Sequence, residues 1–220
     1  MIDRRALVLI AVCAVGCTGC LRTTTMAPIE MYRLLPPAAV SSAAAAREAT
    51  DDLPEGSLAV ARFVTPGLYG QRGIVYRVGE AGYATYSSRE WAMPLGEMLG
   101  RRTADVMQAK PLVRGDALFD PRTRRSFMYM WRGTVREFEE IDRGNDVFVA
   151  VNLEASLIRI ENDSIVWSGG ARVERQVPDG TMEGIIAGLS GATDEVLFAL
   201  LDSARVSIRQ KSAHGASSNR

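Results

Sequence analysis

The chain has 220 residues, with 26 basic against 26 acidic side chains and 47% apolar residues, enough for about one domain with a sizeable core. Balanced charge argues against a nucleic-acid binder, which carries a net basic surface or a clustered basic stripe. The single histidine, His214, lies near the C-terminus, and Cys13, Cys17 and Cys20 all lie in the first twenty residues, which excludes triad chemistry, His-rich metal sites, a disulfide framework and a thiolate cage from the body of the chain.

Asp3, Arg4 and Arg5 lead into an apolar run from Ala6 to Val15, a charged region followed by a stretch of signal-peptide length. That run is short of the roughly 20 apolar residues that cross a hydrocarbon core. Gly16-Cys17-Thr18-Gly19-Cys20 follows, and a small residue before a cysteine at this place resembles the lipobox of bacterial lipoproteins. The resemblance implies cleavage before the cysteine and a covalent diacylglycerol and acyl chain (palmitate) on it, the two-signal anchor that holds stably in a membrane. Cys17, preceded by Ala14-Val15-Gly16, is the favoured acceptor; Cys20 is the alternative, and its choice leaves no free thiol in an oxidising compartment. Neither cysteine is followed by Asp, which by the usual sorting logic selects the periplasmic face of the outer membrane.

The expected organisation is a signal peptide at 1–16, a lipidated N-terminus and tether at 17–30, one α/β domain at 31–209, and a disordered tail at 210–220. Met31 to Leu35, stopped by Pro36-Pro37, reads as a strand near an edge, and the Ala-rich stretch 38–55 as a flexible insertion. Leu58 to Val64 is a strand; Ile74–Val78 and Tyr83–Tyr86 flank a Gly-Glu-Ala-Gly turn and form a hairpin. Pro94 opens a helix with Leu95, Met98, Leu99 and Val106 on one side, where Arg102 is expected to snorkel at the border. Met128 to Phe138 is strand-like, with an interruption at Gly133. Val147, Val149, Val151, Leu153, Ala155 and Leu157 recur at every second position, the signature of a half-buried antiparallel strand. Asn162-Asp163-Ser164 turns into a further strand, and Pro178 to Thr181 starts a long helix from Met182 to Leu201 that Gly184, Gly188 and Gly191 weaken. The fold class is therefore a single α/β domain, a mainly antiparallel sheet packed by two principal helices.

Gly67 to Gly73 is the most tempting loop, but a P-loop needs a Lys-Ser/Thr pair and a following helix, and here a strand follows. Leu68, Tyr69 and Arg72 are candidates for partner contact at this tip; the alternative is a loop folded back on the core. Glu137, Glu139, Glu140 and Asp142 read as a solvated sheet edge rather than an acid/base pair, and Arg122, Arg124 and Arg125 as an exposed turn. Trp91, Trp131 and Trp167 read as core or rim aromatics. No residue pattern marks a catalytic centre, a metal site or a cofactor site.

Gly67 to Arg77, then Tyr83 to Tyr86, then Arg89-Glu90-Trp91-Ala92-Met93-Pro94-Leu95 together resemble the ABC-type transport auxiliary lipoprotein family. Tyr32-Arg33-Leu34 matches that family's first strand, Val135-Arg136-Glu137-Phe138 a later one, and a C-terminal amphipathic helix closes the domain. Pro94 stands alone where the family commonly has two prolines. The resemblance implies a non-enzymatic accessory subunit on the outer membrane. Its implied partners are an MCE-domain protein and an ABC permease and ATPase that move lipids or other hydrophobic molecules, with a homo-oligomeric ring as a further possibility. The alternative function is a periplasmic module that itself carries a lipid, which requires an apolar cavity; a third class, an envelope enzyme, requires paired carboxylates converging in a cleft.

Overall fold

The computed structural model describes residues 28–37, 53–119 and 127–217, with side chains described as far as Gln210. The signal segment, both candidate lipidation cysteines, residues 38–52 of the Ala-rich insertion and the turn holding Arg122, Arg124 and Arg125 lie outside them. The described elements are β1 (Glu30–Tyr32), β2 (Leu58–Val60), β3 (Gly73–Val78), β4 (Gly82–Trp91), α1 (Leu95–Ala109), β5 (Ala117–Phe119), β6 (Tyr129–Arg143), β7 (Asp146–Arg159), β8 (Ser164–Val177) and α2 (Met182–Ser217). A single 3-10 turn, Gly67–Gly70, precedes β3.

All the described strands belong to one 8-stranded mixed sheet. The long pairings β6–β7, β7–β8 and β3–β4 are antiparallel, while the short pairings β1–β4, β2–β5, β2–β6 and β3–β6 are parallel. The antiparallel expectation therefore holds by length, and the parallel joins attach the short strands. β1 is an edge strand, as read from the sequence, and among the described residues it pairs only with β4.

Both helices lie on one face of the sheet. In β7 the alternation sends Val149, Val151, Leu153, Ala155 and Leu157 to that face, where each is buried. Ile185, Ile186, Leu189, Val196, Leu197, Leu200 and Leu201 of α2 are buried at helical spacing against them. Each such side chain, fully sealed from water, contributes about 1.5–3 kcal/mol. α2 is long and apolar enough to cross a membrane by length and composition, but its apolar stripe is spent on this core. Its start is capped as Pro178 to Thr181 suggests: Thr181 Oγ1 accepts the Gly184 N–H at 3.1 Å. Trp131 and Trp167 stack at 5.2 Å between centroids, and Trp91 meets the edge of Phe138.

Four expectations need correction. Gly133 does not interrupt β6: the strand runs through it, and a Cβ there would lie 2.2 Å from the Phe63 ring, so the glycine makes room for an aromatic side chain folded over the strand. α2 does not stop at residue 209 but continues to Ser217, because Ala204 and Ile208 keep the helix docked and extending a formed helix is easy. The insertion ends before Leu53, which is 1% exposed and whose carbonyl accepts from Arg114 Nε at 2.9 Å. Arg102 does not snorkel. It is 5% exposed, with Nε and Nη2 donating to Asp194 Oδ1 and Oδ2 at 2.6 and 2.7 Å. Arg102 Nη1 also donates to the Leu35 carbonyl, while the Leu35 N–H donates to Ser190 Oγ at 2.9 Å. A buried guanidinium needs such a set of acceptors, and here it joins α1, α2 and the segment after β1.

Gly133→Ala is expected to destabilise the fold by about 1–3 kcal/mol through overpacking against Phe63, read as a lower denaturant midpoint at unchanged slope.

Candidate functional site

The middle of β6 carries two consecutive buried carboxylates, Glu139 and Glu140, at 0% and 4% exposure. A register shift between Val135 and Glu137 precedes them. Beyond this bulge Phe138 lies opposite Val151 on the helix-covered face and Glu139 opposite Ala150 on the other face. Glu140, opposite Val149, returns to the helix side. The expected solvated edge is thus replaced by a central strand with a sealed acid on each face. A strand at an edge would have left both acids in water, but β6 is flanked by β7 on one side and by β3 on the other.

On the outer face, Glu139 organises the loop that the sequence singles out. Arg77 Nε donates to Glu139 Oε1 at 2.8 Å and Nη2 donates to the same oxygen. The Tyr69 hydroxyl donates to Oε2, so the 3-10 turn is pinned down onto the sheet. Burial, then the bond to Glu139, holds the Tyr69 phenol far above its ordinary value, so it stays a donor at any physiological pH. Burial works against the Arg77 charge, but Glu139 outweighs it and raises its value. Arg77 in turn lies 5.7 Å from the Tyr83 ring centroid.

The three contact candidates therefore divide. Tyr69 is half-buried and fixes the loop; Leu68 is half-buried; Arg72 is exposed, its carbonyl accepting the Trp91 N–H at 2.8 Å. The loop is folded back on the core and presents Leu68 and Arg72 from a rigid base. No helix follows it: Gln71 and Arg72 lead straight into β3, so it lacks the geometry of a phosphate-binding turn.

On the helix side the Tyr86 hydroxyl donates to Glu140 Oε2 at 2.7 Å, and Tyr76 packs on Tyr86 at 4.8 Å between centroids. Arg89 lies 5.0 Å from the Tyr86 ring centroid. Burial raises the Glu140 carboxyl above the usual range, the Tyr86 bond pulls it down, and nearby Asp142 pushes it up again. Glu139 and Glu140 point to opposite faces, so they cannot converge on one substrate as an acid/base pair. Glu137 is also engaged, accepting from Arg172 Nε at 2.7 Å. Among the described residues no group of three or more His, Cys, Asp or Glu is arranged to hold a metal ion.

A groove of about 720 Å³ crosses the outer face, its lining including Arg62, Val64, Arg132, Thr134, Glu154 and Ser156. It is open to solvent, with Ala61, Gly133, Ala155, Gly169 and Gly170 between those side chains, and so differs from an enclosed cavity for an acyl chain.

The arrangement is an ion-paired sheet with a loop fixed on its outer face, and a likeness to known proteins covers most of the chain. The family model described as ABC-type transport auxiliary lipoprotein component matches residues 32–199. The chain belongs to this family. The match runs from the end of β1 into α2 and takes in both buried acids and the pinned loop. Among solved structures, a Xanthomonas campestris protein of the family termed DUF330 is 18% identical, with a TM-score of 0.65 over 84% of this chain and 99% of that one. An uncharacterized protein is 15% identical, with a TM-score of 0.59 over 82% of this chain and 97% of that one. These likenesses show the same fold. No curated protein matches the chain. The family is an auxiliary lipoprotein component of ABC-type transport, and a lipoprotein is anchored to a membrane.

The sequence singles out Tyr69, Glu137, Glu139 and Glu140 but not their pairing, and gives no sign of Arg172 as a partner. Glu139 and Glu140 lie between Phe138 and Ile141, and acids set among core residues in a strand are the available signal for buried partners.

Glu139→Gln is expected to cost on the order of 2–4 kcal/mol, since it leaves Arg77 without its counter-charge, and the cost falls below that of a fully sealed pair because Arg77 keeps some access to water. Glu140→Gln is expected to do the opposite. A carboxyl raised in the folded state binds more protons there, so its penalty is absent below the unfolded value and fully present above the folded one. The variant should raise the denaturant midpoint at neutral pH and flatten the gain that the parent shows on mild acidification; a drop in the midpoint at pH 7 would contradict the assignment.

Proposed function

We propose that the protein is a non-catalytic docking subunit of an ABC transport system of the MCE type. It is anchored at the periplasmic face of the outer membrane, and the system moves lipids or other hydrophobic molecules across the envelope. The observation that carries the reading is the family match over residues 32–199, joined to a lipobox-like cysteine, Cys17 or alternatively Cys20, ahead of the domain. On this reading the cysteine carries diacylglycerol and an acyl chain, the domain needs no other cofactor, and the MCE-domain protein and the permease and ATPase are its partners. A ring of copies would suit an accessory component placed at the end of a transport path.

The chemistry of the domain supports docking over carriage. The carboxylates are spent on Arg77, Tyr69, Tyr86 and Arg172, and the outer groove is open to solvent, with Arg62, Arg132 and Glu154 along it, where an acyl chain needs an enclosed cavity. Leu68 and Arg72, held from below by Tyr69, are the proposed contact with the MCE component: a half-buried apolar side chain beside an exposed guanidinium, and Arg is among the residues enriched at interface hot spots.

The test is purification of the native lipidated protein in mild detergent, with mass spectrometry of what is retained. Recovery of an ABC ATPase, a permease and an MCE-domain protein is expected, with loss of these in the Leu68→Asp/Arg72→Glu variant while the fold persists. Recovery of the lipoprotein alone from an intact outer-membrane fraction would overturn the reading.

A further inference from the structure

β8 is an edge strand of 14 residues, and among the described residues it pairs with β7 alone. At about 3.3 Å per residue its second half, from Gly169 to Val177, offers an edge roughly 30 Å long. Natural proteins blunt such edges with proline, lysine, a bulge or a covering loop, because an open ladder of N–H and C=O groups recruits another strand. Ser164 to Val177 contains neither proline nor lysine. Its one register shift lies at the Leu157/Ile158 end of the ladder, far from its second half.

That second half carries a self-complementary pattern. Arg172 and Glu174 both project to the outer face, opposite Asn152 and Ala150 of β7. They are held extended by their neighbours: Arg172 Nε donates to Glu137 at 2.7 Å and its Nη2 to Glu174 at 2.9 Å, while Arg143 donates to Glu174 at 2.5 Å. When a second copy of the strand is laid antiparallel along the edge with Val173 opposite Val173, Arg172 of each copy faces Glu174 of the other. Sliding the centre by one residue sets Arg172 against Arg172 or Glu174 against Glu174, and like charges directly opposite are unfavourable. The favoured register also keeps both outer faces on the same side, so the two sheets become one continuous sheet with both helical layers beneath it. Gly169 and Gly170 then add no bulk at the far end of the overlap.

We propose that β8 is a self-association edge, pairing antiparallel with β8 of a second copy across a two-fold axis at Val173. The occupant is a second copy because the charge pattern answers itself in one register. The inference goes beyond the transporter reading and stands whether or not that reading holds. The interface is isologous, so by itself it closes a pair rather than an open filament, and a ring of copies would use a second, separate contact.

The test uses the full lipidated chain in mild detergent with register-specific cysteines. Directly opposite residues of an antiparallel pair have Cα atoms about 4.5–5.5 Å apart, within disulfide range. Val173→Cys is expected to convert most of the protein to a disulfide-linked dimer on mild oxidation. Co-expressed Gly170→Cys and Gln176→Cys chains, opposite each other in this register, should also cross-link, while Gln176→Cys alone and the background chain should not, every chain carrying Ser in place of the non-lipidated cysteine (Cys20, or Cys17 where Cys20 is the acceptor). Cross-linking by the mixed pair supports the proposal even where Val173→Cys fails to fold. It is overturned if the folded variants stay monomeric on non-reducing gels, as they would were the edge taken by a different protein. It is overturned equally if Gln176→Cys alone cross-links as readily as the pair.

Discussion

The bulge between Val135 and Glu137 is the constraint on which the rest of the domain depends. β6 is the only described strand that meets β2, β3 and β7, so its alternation decides what every neighbour must supply. Without the extra residue, Phe138 would face away from the helices and Glu139 would be driven into the apolar layer beside Val149 and Val151. With it, Phe138 meets Trp91 in the core and Glu139 turns to the face where Arg77 and Tyr69 await it. A one-residue slip in a strand exchanges its two faces, and here the exchange is what makes the second half of β6 compatible with the first.

The consequence runs outward from β6 to the loops. Glu139 pins the 3-10 turn, and that turn positions Leu68 and Arg72, so a buried ion pair fixes the shape of an exposed surface. A second clamp works at the opposite layer. Arg102 joins Asp194 of α2 to the carbonyl of Leu35, and Ser190 takes the Leu35 N–H. The segment after β1 is thereby tied to both helices, and the Ala92 N–H, just after β4, donates to the Tyr32 carbonyl of β1 at 2.7 Å. Any pull from a membrane anchor would be delivered to the core of the domain rather than to a loose strand. That is what the proposed docking role would require mechanically.

Much of this was legible in the residues. The period-two run from Val147 to Leu157, the turn at Gly79–Gly82 and the apolar stripe of α2 each obey a local rule and lie where that rule puts them. Arg102 and the two glutamates were misplaced for one shared reason: a charged residue among apolar ones looks like a border, and only its partner shows it to be buried. Asp194 lies 92 positions from Arg102, and Tyr69 lies 70 from Glu139. No window along the chain contains both members. The bulge is equally silent, since Val135-Arg136-Glu137-Phe138 alternates acceptably in either register. The helical extension to Ser217 escaped because polar residues mark a surface, not the end of a helix.

The central claim is that the domain acts by being held at the membrane and docked to a transporter, not by chemistry of its own. Complementation of a deletion strain tests it most directly, with the resistance of the envelope to detergents as the readout. A chain exported through a cleavable signal without the lipidation cysteine is compared with the lipidated parent. The account predicts that the unanchored domain, folded and abundant in the periplasm, fails to restore resistance while the lipidated chain restores it. Full rescue by the soluble domain would contradict it.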